Sequence, residues 1–185
     1  MRAAGDKHVG PGLPHLLDKL DDTPACVISD LGEVLMQNRM HVALFGDASA
    51  FSGLDRYLPW RFFAHPEERL MFPEEERDRL AANQIADLRA TAARRAGDAD
   101  VTELVNRLHE CSPEFAALWD RHDVAVRRSD TKSVLHVGVG RVDLVCETLL
   151  TLSAYQNLLV YLPQPGSDAR AKLDLLRVIG TQQMV

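Results

Sequence analysis

Apolar positions along the chain change period twice. Leu13, Leu16, Leu17 and Leu20 fall on one face of a short helix. It ends at Asp21, Asp22 and Pro24. Two short apolar runs, Cys26–Val27–Ile28 and Val34–Leu35–Met36, flank Gly32 and predict a hairpin. Residues 40–45 predict a short helix stopped at Gly46. Residues 47–72 carry no clear period but hold Phe51, Tyr57, Trp60, Phe62, Phe63 and Phe72, and read as a loop with short turns folded onto the core.

From Pro73 the spacing is helical. Proline and three glutamates suit the positive end of a helix, and Ala81, Ile85, Leu88 and Ala92 form its apolar stripe, ended by Gly97. Asp100 and Glu103 have capping-box spacing ahead of Val101, Leu104, Val105 and Leu108. Ser112 caps a third helix that carries Phe115, Leu118 and Trp119. The period then falls to two, predicting strands over 131–137, 140–148 and 157–162, with Val142, Leu144 and Cys146 on one face. A last helix begins at Gly166–Ser167–Asp168 and turns Leu173, Leu176 and Ile179 inward. Two strands, a helical middle, three strands and a helix predict an α+β fold: a PAS-like five-stranded antiparallel sheet with helices packed on one face.

The chain has 185 residues, 46% of them hydrophobic, enough for one core without staples. The division expected is a flexible tail over 1–12, one domain over 13–180 and a short tail over 181–185. Net charge is -6 with no basic stripe, which argues against direct binding of nucleic acid by this chain. Three widely spaced cysteines, Cys26, Cys111 and Cys146, have no metal-ligand spacing. They fit a reducing cytoplasm, Cys26 and Cys146 as small buried hydrophobes. No apolar run is long enough to span a membrane, and the first twelve residues lack the apolar stretch of a signal peptide.

No catalytic motif stands out. The glycines of HVGVGR at 136–141 read as a tight strand connection rather than a dinucleotide fingerprint. His122–Asp123 reads either as a helix C-terminus or as an acid/base pair without a nucleophile. Trp60–Arg61–Phe62–Phe63 reads either as a loop anchored by its rings or as the mouth of an apolar pocket, with Arg61 facing an anionic headgroup. Neither a cofactor nor a metal is expected.

Several segments together carry a family resemblance. They are DTPACV at 22–27, VLMQN at 34–38, DLRATA at 87–92, SPEFAALWDRHDV at 112–124, residues 136–144 and LLVYLPQPGS at 158–167. In this order they resemble the ligand-binding domain of MmyB-like transcription regulators over about residues 13–180. Val137 stands where that family commonly has proline, and the segment before Pro73 diverges. The resemblance implies a homodimeric regulator that binds DNA through an Xre-type helix-turn-helix. It also implies a small apolar ligand, such as a fatty acid, in the PAS-like cleft. Too few residues precede Leu13 for that helix-turn-helix, so it is expected to be absent from this chain.

The expected cleft lies between sheet and helices. Its candidate ligand contacts are Asn38, Arg61, Phe63, Phe115, Trp119, His122 and Leu144, with Val34, Met36, Val142 and Val160 as further strand contributions. Two other classes stay open. One is a ligand-free dimerisation module with the same aromatics as packing. The other, a small hydrolase using His122 and Asp123, ranks lower because no activated nucleophile can be named.

Overall fold

The computed structural model describes residues 9–121, 131–151 and 155–182. Five antiparallel strands form one sheet: β1 (Ala25–Ser29), β2 (Val34–Gln37), β3 (Thr131–His136), β4 (Gly140–Leu150) and β5 (Gln156–Pro163). Their order is β2-β1-β5-β4-β3, so the first hairpin and the last three strands meet where β1 pairs with β5. Register fixes the two faces. Cys26 lies opposite Leu159, and Cys146 opposite Tyr161, on the inner face. Val27 opposite Leu158 and Ala25 opposite Val160 belong to the outer face. This is the α+β architecture expected.

Helices cover the inner face. Met40 and Leu44 of α2 (Arg39–Phe45) and Ala169, Leu173 and Leu176 of α7 (Ala169–Gln182) pack on Val134, Val142, Leu144, Leu159 and Tyr161. The outer face is covered in part by α1 (Gly12–Lys19), whose Leu17 packs on Ala25, Val27, Leu158 and Val160. Val9, expected in a tail, packs against the same cluster. A separate helical core joins α3 (Leu58–Ala64), α4 (Glu74–Arg94), α5 (Ala99–Cys111) and α6 (Pro113–Asp120) through Phe62, Phe63, Ile85, Leu104, Leu108 and Phe115.

Two local differences from the sequence reading have physical causes. The stretch expected as loop contains α3, which begins at Leu58–Pro59 where proline's fixed φ suits a first turn. Seven residues with three rings among four positions, Trp60, Phe62 and Phe63, show too little period to betray it. Gly32 makes its docking feasible: at φ +80°, a Cβ there would meet Pro59 Cδ at 2.7 Å. The cap of α5 is Asp98, not Asp100. Asp100 instead pairs with Arg95 at 2.6 Å, and Glu103 makes an exposed pair with Arg107.

Arg95 joins the helical layer to the sheet. Its side chain is 5% exposed and bonds Asp30 in the β1–β2 turn at 2.9 Å, Asp98 at 2.9 Å and Asp100 at 2.6 Å. Thr91 adds a hydrogen bond from its hydroxyl to the Asp30 carbonyl, 2.9 Å. At the other end of α4, Arg79 donates to the Thr131 carbonyl at 2.8 Å, and Glu76 accepts from Ser133 N at 3.0 Å and from its hydroxyl at 2.6 Å. Helix α4 thus crosses the sheet from the β3 edge to the first hairpin.

His41 is buried among Phe45 and Tyr161 and accepts at Nδ1 from Gln37 Nε2, 2.7 Å. Burial, with the charges of Lys132 and Arg61, pushes its pKa down from 6.5 to about 3. The unfolded chain therefore takes up this proton first, and His41 makes stability fall as pH drops from about 6.5 towards 3. In urea titrations between pH 7 and 5, His41→Gln should show a shallower dependence of unfolding free energy on pH than the parent; equal slopes would exclude His41 as the source. Replacing Arg95 by Met leaves the buried Asp30 carboxylate without its cation and should cost about 3–5 kcal/mol. A loss below about 1 kcal/mol by urea unfolding would show that the node does not tie the layers together.

Candidate ligand cavity

Helix α4 does not lie flat on the sheet. Helices α2 and α7 fill the inner face over Val134, Val142 and Leu144, whereas α4 spans the remainder held at its two ends. A cavity of about 920 Å³ lies between. Its floor is Ile28, Lys132, Cys146, Thr148, Leu159 and Tyr161. Leu80, Gln84, Leu88 and Thr91 of α4 form its roof, and Leu31, Leu58 and Pro59 close one side. The volume is within the range of small-molecule sites, and apolar walls with a few polar groups are their usual chemistry.

The polar groups differ in how they are satisfied. Asp30, at the α4 C-terminal end, is held by Arg95; burial raises its carboxyl pKa, and the Arg95 charge and hydrogen bond oppose that rise. Arg94 is exposed at the same end and donates to the Thr91 hydroxyl at 3.0 Å. The Thr148 hydroxyl is buried with no hydrogen-bond partner among the described residues. Lys132 is half-buried on the floor, its ammonium 5.7 Å from the Phe72 ring centroid and 5.6 Å from that of Tyr161. Cys26 and Cys146 are buried, and no disulfide involves any of the three cysteines. Burial drives the Cys26 thiol pKa well up, so it stays protonated.

The residues singled out from the sequence lie elsewhere. Asn38 caps α2: its carbonyl oxygen accepts from His41 N at 2.9 Å and Ala25 N at 3.1 Å, and its amide donates to Leu20 and Thr23 carbonyls at 2.7 and 2.8 Å. No bonding capacity is left over for a ligand. Arg61 is hydrogen-bonded to Glu68 and lies 4.2 Å over the Phe51 ring. Phe63, Phe115 and Trp119 come together as one aromatic cluster, Phe115 5.2 Å from Phe63 and 5.4 Å from Trp119. That cluster belongs to the helical core and does not line the cavity. Leu144 is fully buried under α7. Met36 and Val160 pack on the α1 side, and Val34 and Val142 do not reach the cavity either. His122 and Asp123 lie outside the described residues.

The floor residues Ile28, Cys146 and Leu159 follow from strand alternation. Lys132 carried a signal that aromatic spacing did not. The parity that buries Val134 and pairs it with Val142 puts Lys132, opposite Leu144, on the same inner face. A charged residue on a face otherwise built for the core is the informative departure. Among the described residues, no group of histidine, cysteine and carboxylate side chains is arranged to hold a metal, and no helix is long and apolar enough to cross a membrane.

No curated protein matches the chain. The family described as MmyB-like transcription regulator ligand binding domain matches it over residues 9–176, which takes in every strand, α1 to α6 and the cavity between sheet and α4. That match covers most of the chain, and the chain belongs to the MmyB-like transcription regulator ligand binding domain family.

Proposed function

We propose that this domain is a cytoplasmic sensor for an elongated apolar molecule such as a fatty acid, bound between the sheet and α4, and that it is a binder rather than an enzyme. The observation that carries the reading is the cavity of about 920 Å³ with Ile28, Leu80, Leu88, Cys146 and Leu159 in its walls. Its roof is a helix anchored at its ends, which allows its middle to respond to an occupant. Occupancy regulates transcription through a DNA-binding unit such as a helix-turn-helix, provided the ligand prefers one arrangement of the regulator over another.

The regulator acts in this reading as a homodimer. The outer sheet face beyond α1 offers a surface for a second copy, because Leu135, Leu149 and Leu162 are exposed there at 41%, 48% and 40%.

Mass spectrometry of the purified protein under native conditions, and again after solvent extraction, should reveal a long-chain acid in near-stoichiometric amount. If the protein is recovered empty, added dodecanoate should bind. Gln84→Trp, which fills the cavity from its roof, should abolish binding while circular dichroism stays unchanged. No binding of any long-chain acid, or binding that Gln84→Trp leaves intact, would contradict the proposal.

A further inference from the structure

Lys132 stands apart from the other charged groups around the cavity. The carboxylates at its end of α4 are committed elsewhere. Glu75 pairs with Arg141 at 2.9 Å. Glu76 pairs with Arg79 at 3.1 Å and accepts from Ser133. Asp143 pairs with Arg141 at 2.8 Å and accepts from Ser133 at 2.7 Å. Lys132 forms no ion pair and no hydrogen bond with any described residue; its ammonium lies over the faces of Phe72 and Tyr161, and its charge also acts on the buried His41 ring. A half-buried ammonium over two rings gains something from their π-faces, but much less than from an anion in the same place.

The cavity gives such an anion a route. Arg79 and Thr91 mark the two anchored ends of the roof, twelve positions apart and so about 18 Å at the helical rise. Lys132 belongs to the Arg79 end, through its neighbour Thr131. From there towards the Thr91 end the apolar lining is Leu80, Leu159, Leu88, Ile28 and Leu31, and Asn83, Gln84, Asp87 and Thr148 add polar groups to the same walls. A half-buried cation near one end of a largely apolar passage is complementary to an amphiphile with a single acidic head.

We infer that Lys132 is the counter-charge for the acidic headgroup of the cavity's ligand, with the apolar tail running beneath α4 towards the β1–β2 turn. The inference rests on the ligand-sensor reading above and adds to it the residue that meets the ligand's headgroup and the ligand's orientation. Arg94 is the competing cation, at the opposite end. It is exposed and solvated, so an anion there would gain little over water.

Calorimetric titration of the full chain with dodecanoate and with dodecanol separates these possibilities. The parent should bind the acid at least about tenfold more tightly than the alcohol, the effect of one hydrogen-bonded charge. Lys132→Met should lose about ten- to a hundredfold in affinity for dodecanoate and stay within about twofold for dodecanol. Lys132→Arg should keep the preference for the acid. Equal loss of acid and alcohol in Lys132→Met, or loss of the acid preference only in Arg94→Met, would overturn the assignment while leaving the cavity reading intact. Failure of the parent to bind either compound would overturn both.

Discussion

The guanidinium of Arg95 holds this architecture together. Three carboxylates from two places in the chain converge on it: Asp30 from the first hairpin, Asp98 and Asp100 from the start of α5. A buried cation with no partner would be costly, and so would Asp30 with no cation. Each therefore requires the other, and the chain has to bring the end of α4 to the β1–β2 turn. The Thr91 hydroxyl repeats that link through the Asp30 backbone. Replacing these groups by apolar ones of the same shape would supply packing, but it would not fix which helical turn meets which strand end.

From that constraint the cavity follows. The other end of α4 is fixed at the β3 edge by Arg79 and Glu76, so the helix is suspended between two polar anchors across an apolar sheet face. The sheet beneath is twisted, and a straight helix pinned at both ends does not follow a twisted surface everywhere. Helices α2 and α7 fill the half of the inner face they reach. Behind α4, the Phe62, Phe63 and Phe115 core keeps α3, α5 and α6 together, so the roof is backed by a packed layer of its own. The apolar packing on the inner side of the sheet is thus divided into two clusters that share Phe72, with the cavity beneath α4.

Much of the fold was legible in the sequence, because each long element states its own period. The 3.6-residue stripe of α4, the alternation of Val142, Leu144 and Cys146, and the Gly46 stop of α2 are local facts. Helix α3 was not legible, since its docking depends on Gly32 far back in the chain. The site was less legible for a related reason. Conspicuous rings such as Phe115 and Trp119 advertise buried area, and here that area closes the helical core rather than the cavity. Asn38 looked like a polar handle and is fully used as a cap and clasp. What lines the cavity is decided by where a helix crosses a sheet, which no local pattern encodes; Lys132 was visible only as a charge on the wrong parity of β3.

The occupant proposed for the space beneath α4 is an elongated amphiphile. The most direct measurement is a crystal structure of the protein with a terminally brominated dodecanoate, located by the anomalous signal of bromine. One bromine peak is expected beneath the C-terminal half of α4, near Ile28 and Leu31, with continuous density leading back to Lys132. A bromine peak outside that space, or side chains filling it with the acid bound elsewhere, would contradict it.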